Sequence, residues 1–474
     1  MSNTILDYNS SYRKGKILTD ELTFEKVRSC FSEPVENIQR IRERSGNDNI
    51  PDTSYAIQKT GMFDFGLSKD VIKFLNDNGI EFSTTESFSD RLNSSYITGE
   101  IFDDLNYKHR YYGLETLQSS LESGCGTVVW ATGAGKSLMQ ASLIENVWRA
   151  SDKDKFKCLL IVPGLGLVSQ LLDNFSEYGV NFTYSGWTGN MKLKDTNIVI
   201  CNTENFCSKF DSNQKWISEI DLLVVDECHK VTSTNIVSKK LQKIKTPHKF
   251  GFTGTIPKSK MDEWKIIGTF GSKIYEKNSK ELRDEEFLTD VCVKVIRLHH
   301  KNPPRMDYKS ELSYIYNSSY RNSIIQKVTS RLTNNILILV NHIEHGENLL
   351  DALQKAENKQ VFFVHGGISV DERQSIINKM EKNNNIICVA MSSIFSTGIN
   401  VKNLHYVLFV AGGKSFIRII QSIGRGLRLH DSKDKFTVID ICDNLKYSQN
   451  HLDKRLEFYA EQQIDVKHTN INLC

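Results

Sequence analysis

The sequence predicts an α/β protein of two tandem parallel-sheet lobes preceded by a small α+β domain. Three observations carry this. Strand and helix patterns alternate from about residue 108 to 275, a second alternation begins near Asn335, and the first hundred residues lack either pattern.

In the first hundred residues, "TFEKVRSCF" and "KDVIKFLNDNGI" read as short amphipathic helices, while "YRKGK" and "RIRER" supply local positive charge. A separate domain over residues 1–100 follows. The next stretch carries "CLLIVP", "NIVIC", "DLLVVDE" and "KFGFTGT", apolar runs of strand length whose polar residues fall at their carboxyl ends. Helical spacing fills several of the gaps between them. Such alternation implies a parallel sheet that binds ligands beyond its strand C-termini, and it sets the first lobe at 101–290. "NILILV", "QVFFV", "IICVA", "HYVLFV" and "FTVIDI" repeat the pattern, giving a second lobe over 291–445. The remainder, 446–474, contains "HLDKRLEFYAEQQI" and reads as a helical extension packing back on the second lobe.

Composition limits the functional classes. The 474 residues suggest about three domains, and 39% hydrophobic content suffices for substantial cores. Ten cysteines show no C-x-x-C pair, which points to reduced thiols rather than zinc or disulfides. No signal-peptide core or membrane-length apolar run occurs, so a cytoplasmic protein is expected. Net charge is only +3, and any polyanion-binding surface must come from local clustering.

The first chemical element is "VVWATGAGKSLMQA". Val128 to Trp130 reads as a strand end, and helical spacing resumes after Lys136. The turn between them, Thr132, Gly133, Ala134 and Gly135, can aim backbone N–H groups at an oxyanion at the positive end of the following helix. Lys136 would reach the β and γ phosphates, and the Ser137 hydroxyl is placed to ligate Mg²⁺. Trp130 stands where the usual pattern opens with glycine. The second element, "VVDECHK", sets Asp226 at a strand tip, where it can hold Mg²⁺, beside Glu227, which can orient or deprotonate water. The third is "QSIGRGLRLH". Arg425 and Arg428 share a helix face opposite Ile419, Ile420, Ile423 and Leu427, so they are either a solvated basic face or fingers reaching a γ-phosphate.

The ordered set ATGAGKS, LLIVPGLGLVSQ, DECH, FTGT, "VAMSSIFSTGINVKNLHYVLF" and QSIGRGLR, spanning about residues 105 to 445, resembles superfamily 2 helicases and translocases. The run "FSTGINVKNLH" followed by QSIGRGLR is most similar to the recombination helicases of bacteriophages. The resemblance implies two RecA-like lobes, ATP and Mg²⁺ as cofactors, and DNA or RNA as partner, with the motor acting as a monomer on DNA. It implies that His229, Gln421 and the Thr253-Gly254-Thr255 loop couple the nucleotide site to the lobe interface. Gly398 and Asn400 would lie near the nucleotide, with Arg425 and Arg428 as fingers. By the same resemblance Gly164, Gln170, Thr203, Ser392 and Ser393 would grip a nucleic-acid strand, and Arg13, Lys14 and Lys16 would touch phosphates. In "YKHRYYGLETLQ", Arg110 and Tyr112 match the family's adenine-reading segment, but Gly113 takes the place of its glutamine, reducing adenine contact to stacking by Tyr112.

These expectations converge on an ATP-driven DNA helicase or translocase that remodels branched DNA. A restriction-type motor subunit and an RNA helicase share the same lobes; no convincing carboxylate-lysine nuclease cluster favours the former. A nucleotide-binding regulator or small kinase would not need the second lobe. His299 and His300, lacking partners at metal-ligand spacing, read as surface residues.

Overall fold

In a computed structural model the described residues are 4–11, 13–93, 97, 100–152, 154–231, 235–288, 290–301, 303–355, 359–395, 403–410, 435–461 and 464–472. The chain divides into two compact units, one of residues 1–131 and 135–277, the other of 132–134 and 278–474.

The first unit opens with β1 (Thr4–Asn9), β2 (Lys14–Leu18), β3 (Ser32–Pro34), β4 (Thr53–Tyr55), β5 (Met62–Asp64) and β6 (Phe82–Thr84). Four of them form a sheet in the order β5-β2-β1-β6, and β3 pairs with β4 in a separate ribbon. The β1–β2 and β2–β5 pairs are antiparallel and β1–β6 is parallel, so this is an α+β domain as expected. Its core of Leu6, Ile17, Val27, Phe63, Val71 and Phe88 also takes in Trp264 and Ile267 from the lobe that follows. The two parts therefore share apolar burial. Two glycines permit their backbones to touch: a Cβ on Gly66 would fall 2.1 Å from the Ile267 carbonyl oxygen, and one on Gly268 would fall 2.6 Å from Asp64 Cβ. Close-packed interiors leave no room for either.

The first lobe consists of β7 (Gly126–Trp130), β8 (Cys158–Val162), β9 (Tyr184–Trp187), β10 (Ile198–Asn202), β11 (Leu222–Asp226), β12 (His248–Thr253) and β13 (Lys273–Lys277). All pairings are parallel, in the order β13-β7-β12-β11-β8-β10-β9. Each residue of β7, β8 and β10 is buried, which is why these strands read as unbroken apolar runs. The order sets the phosphate-loop strand β7 beside β12 and β12 beside β11, so the three loops that follow them open at one edge.

The second unit repeats the plan with β14 (Asp290–His299), β15 (Ile336–Val340), β16 (Gln360–Val364), β17 (Ile386–Met391), β18 (Tyr406–Phe409), β19 (Lys435–Asp443) and β20 (Asp465–Asn472), ordered β16-β17-β15-β18-β19-β14-β20 and again all parallel. The final segment is more than the expected helix. After the helix Lys446–Glu461 the chain returns as β20 and pairs with β14 along Cys292–His299.

A buried polar knot ties this unit together. Arg321, only 1% exposed, donates from Nε to both carboxylate oxygens of Asp443 at 3.0 Å and from Nη2 to the Val410 carbonyl at 2.6 Å. The surface reading of His300 is overturned here: it is buried, its Nε2 lies 2.8 Å from Asp443 Oδ1, and its backbone N–H donates to Asn444 Oδ1. Asp443, more than a hundred residues downstream, supplies the partner that draws this histidine inside.

Candidate nucleotide site and nucleic-acid surface

After β7 the chain turns through Gly133 (φ +86°) and Gly135 (φ +97°) into the helix Lys136–Arg149. Left-handed backbone at both positions is what a side chain would disfavour, and it lets the peptide N–H groups curl around a small volume. Thr132, Gly133 and Ser137 are half-buried and Ala134 is buried. Lys136 folds back to donate from Nζ to the Trp130 carbonyl at 2.9 Å. A Cβ on Gly254 would lie 3.7 Å from that same carbonyl oxygen and 3.8 Å from Lys136 Nζ, so the loop after β12 closes on the lysine. Trp130 itself is buried, which explains how an aromatic residue can open a loop that normally begins with glycine.

The acidic pair stands at the end of β11. Asp226 Oδ1 accepts from Gln140 Nε2 at 3.1 Å, which binds it to the helix carrying Lys136. Glu227 adopts φ +51°, a left-handed conformation costly for a non-glycine residue and a mark of constrained sites. Burial first, then the adjoining Glu227 carboxylate, raises the Asp226 carboxyl above its usual range. For Glu227 the upward push of burial is outweighed by the hydrogen bond from His229 and by the Lys136 charge, and this carboxylate stays ionised.

His229 is the hub. Its Nδ1 lies 2.8 Å from Thr253 Oγ1 and 3.2 Å from Glu227 Oε2. The Thr253 hydroxyl donates to the Thr255 carbonyl at 2.9 Å, which leaves its oxygen to accept and fixes the histidine proton on Nδ1. The expected cluster of Lys136, Asp226, Glu227, His229 and the Thr253-Gly254-Thr255 loop is thus brought together by three neighbouring strand ends.

Tyr112 requires correction. Expected to stack on adenine, it is fully buried, edge-on to Trp130 at 4.9 Å, and Arg110 Nη1 donates to its hydroxyl at 3.0 Å. No ring face is open to a base. Its neighbour Tyr111 is 59% exposed, and Lys277 Nζ donates to the Tyr111 hydroxyl at 2.9 Å. Both tyrosines stand at the start of the helix Tyr111–Ser123, so only the packing of that turn distinguishes them. Gly113 sits against His109, where a Cβ would fall 2.7 Å from Nδ1.

The strand-gripping candidates follow neighbouring strands of each sheet. Gly164 precedes the helix Leu165–Tyr178 with open space around it, and Gln170 is half-buried on that helix. Thr203, after β10, donates from Oγ1 to the Val162 carbonyl at 3.2 Å, joining the ends of β8 and β10. Ser392 donates to the Val340 carbonyl at 3.0 Å and Ser393 is exposed. Two of the basic candidates are committed elsewhere. Arg13 Nη1 donates to the Lys243 carbonyl at 3.0 Å, tying the N-terminal domain to the first lobe, while Lys14 pairs at 3.3 Å with Asp64 of its own domain, a carboxylate that also takes Lys265 of the lobe at 2.8 Å. Lys16 is half-buried on β2. Gly398, Asn400, Gln421, Arg425 and Arg428 lie outside the described residues.

Comparison with known proteins agrees with this geometry. Residues 106–258 match the family described as the type III restriction enzyme, res subunit, and residues 320–430 match the helicase conserved C-terminal domain. The chain is 26% identical to the ATP-dependent DNA helicase uvsW of Enterobacteria phage T4 over 97% of both chains. The chain belongs to the superfamily 2 helicases. Its lobes are therefore RecA-like, and it is an ATP-dependent enzyme. It is also 24% identical to the type I restriction enzyme EcoAI endonuclease subunit of Escherichia coli, over 78% of this chain and 50% of that one. In fold it is similar to the ATP-dependent type ISP restriction-modification enzyme LlaBIII bound to DNA, with TM-score 0.62 and 13% identity over 84% of this chain and 34% of that structure. Among the described residues no helix is long and apolar enough to cross a membrane.

Proposed function

We propose that this helicase uses ATP to unwind or branch-migrate branched DNA, such as forks, Holliday junctions, D-loops and R-loops, in recombination, repair and replication in the cytoplasm. The observation that carries the reading is the end-to-end similarity to a phage DNA helicase over 97% of both chains, which includes the N-terminal domain as well as the motor lobes.

The chemistry follows from the site. The turn at Gly133 and Gly135 receives the triphosphate on its N–H groups, and Lys136 leaves the Trp130 carbonyl to meet the β and γ phosphates. The oxygen donors Ser137 and Asp226 suit Mg²⁺, a hard cation that takes hydroxyl and carboxylate oxygens. When bound, Mg²⁺ would neutralise charge on the transferring phosphoryl group. Glu227 orients water and accepts its proton, held in place by His229 Nδ1–H. By the family resemblance Arg425 and Arg428 would act as fingers on the transition state, and Gln421, Gly398 and Asn400 would also serve the nucleotide site. Tyr111 offers an exposed ring for the adenine. Gly164, Gln170, Thr203, Ser392 and Ser393 hold the strand through its phosphates.

ATP hydrolysis measured in parallel with no nucleic acid, single-stranded DNA, duplex, forked DNA and RNA tests the reading. Stimulation should be strongest on forked DNA, and Lys136→Ala should abolish turnover. Arg425→Ala should abolish it while sparing nucleotide binding. Stimulation by RNA alone, or by no polynucleotide, would replace the proposal with another.

A further inference from the structure

The helix Lys260–Phe270 begins shortly after the Thr253-Gly254-Thr255 loop, and its first N–H groups need acceptors. Ser259 supplies one locally, its Oγ accepting from Asp262 N at 3.3 Å. The others are met from the N-terminal domain. Glu33, on β3, accepts from Lys260 N at 3.0 Å through Oε1, and from Met261 N and Ser259 Oγ at 2.9 Å through Oε2. A carboxylate more than two hundred residues upstream in sequence thus caps this helix, and its negative charge faces the positive helix end. The three bonds are charge-assisted and directional, so they fix both the position and the rotation of the first turn.

That turn is joined to Glu227, the proposed general base, by a continuous path. Glu227 meets His229, His229 meets Thr253, and the Thr253 hydroxyl bonds the Thr255 carbonyl. Only Ile256, Pro257 and Lys258 then separate Thr255 from Ser259, whose hydroxyl Glu33 holds. Trp264 and Ile267, further along the same helix, are packed into the N-terminal core, so the helix cannot shift without that domain.

We propose that Glu33 is a positioning residue for ATP hydrolysis: through the capped helix it sets the Thr253-Gly254-Thr255 loop, making the N-terminal domain part of the coupling between polynucleotide and turnover. This rests on the reading of that loop as the coupling element. Glu33 touches no reacting atom and acts only through the loop.

The test uses the full chain with Glu33→Ala, Glu33→Gln and Thr253→Val, measuring kcat and KM for ATP at saturating forked DNA, each corrected for folded fraction by urea titration. Glu33→Ala should lower kcat about 3- to 30-fold with KM for ATP within about twofold, the range seen when residues remote from a site alter coupling. Glu33→Gln keeps the side-chain shape and one acceptor oxygen but puts an NH2 donor in place of the other and removes the charge, and should recover part of the loss. Parental kcat in Glu33→Ala, a loss that vanishes once folded fraction is corrected, or a KM effect with kcat unchanged would overturn the proposal. If Thr253→Val lowers kcat and Glu33→Ala does not, the Glu33 role alone falls; if neither does, the loop reading falls with it.

Discussion

Arg321→Met should destabilise the second unit by about 3–5 kcal/mol, the range for removing one partner of a buried ion pair. The parent arginine is 1% exposed and holds a carboxylate whose side chain is 2% exposed. Methionine of similar length would leave Asp443, among the described residues, with His300 as its charged partner, and the Val410 carbonyl would lose the Arg321 donor. All five tryptophans lie within residues 1–277, so fluorescence reports the first unit, while far-ultraviolet circular dichroism reports both and a dichroism step without a fluorescence counterpart belongs to the second. With a urea slope of about 2 kcal/mol/M, the dichroism midpoint should fall by about 1.5–2.5 M while the fluorescence midpoint stays near the parent's.

The pH dependence supplies a second arm. In the parent, burial alone would raise the Asp443 carboxyl, but the Arg321 guanidinium and the His300 bond outweigh it and hold it below the usual range. A depressed carboxyl contributes its stability above the unfolded value near 4 and loses it as pH falls through the folded value. Without Arg321, burial dominates and the folded carboxyl titrates above the unfolded one. The variant then gains relative to the parent as pH drops from 7 toward 5. The double variant Arg321→Met, Asp443→Leu should recover most of the loss, since no buried charge is left alone. A dichroism shift below about 0.5 M, or a gap that widens toward pH 5, would refute the reasoning.

Two further predictions concern the turn proposed to meet the base. Tyr111→Ala should raise KM for ATP several-fold with little change in melting temperature, whereas Tyr112→Ala should destabilise the first lobe by about 3–5 kcal/mol, as expected for emptying a fully buried aromatic position; steady-state kinetics beside thermal melts separate the two. Gly113→Gln, which restores the family's consensus residue, should not sharpen the preference for ATP over GTP. Its Cβ would meet the His109 ring, whose Nε2 is bound to Ser142 Oγ at 2.6 Å, so the variant should be destabilised by about 1–3 kcal/mol and melt at a lower temperature.

The strands that carry the motifs were legible because buried parallel strands are continuous apolar runs, as in Cys158–Val162, Leu222–Val225 and Ile336–Val340. The strands that escaped detection lack that signature. Lys273–Lys277 and Asp465–Asn472 are edge strands with polar residues spread along them, and in Asp290–His299 Lys294 and Arg297 interrupt the apolar run. At the site, Lys136, Asp226 and Glu227 could be read from motif and spacing, whereas His229 is carried only by the family resemblance. Tyr112 could not be told from Tyr111, because adjacent helical positions differ only in which way the turn faces. Nor could His300 be told from His299, since what separates them is Asp443. The contacts of Arg13 and Lys14 depend on Lys243 and Asp64, and basic residues read one at a time cannot show which partners the fold brings to them.

The helix Lys260–Phe270 serves two masters at once, with one flank in the lobe and Trp264 and Ile267 in the N-terminal core, while Gly66 and Gly268 leave no slack between them. Modular exchange is therefore constrained in a way that domain diagrams hide. A chimaera that swaps the first hundred residues for those of another motor would bring a foreign surface against this helix, and would need the matching tryptophan, glycine and acidic cap to be transplanted along with it. Lineages diversifying their front module must revise the engine block in step.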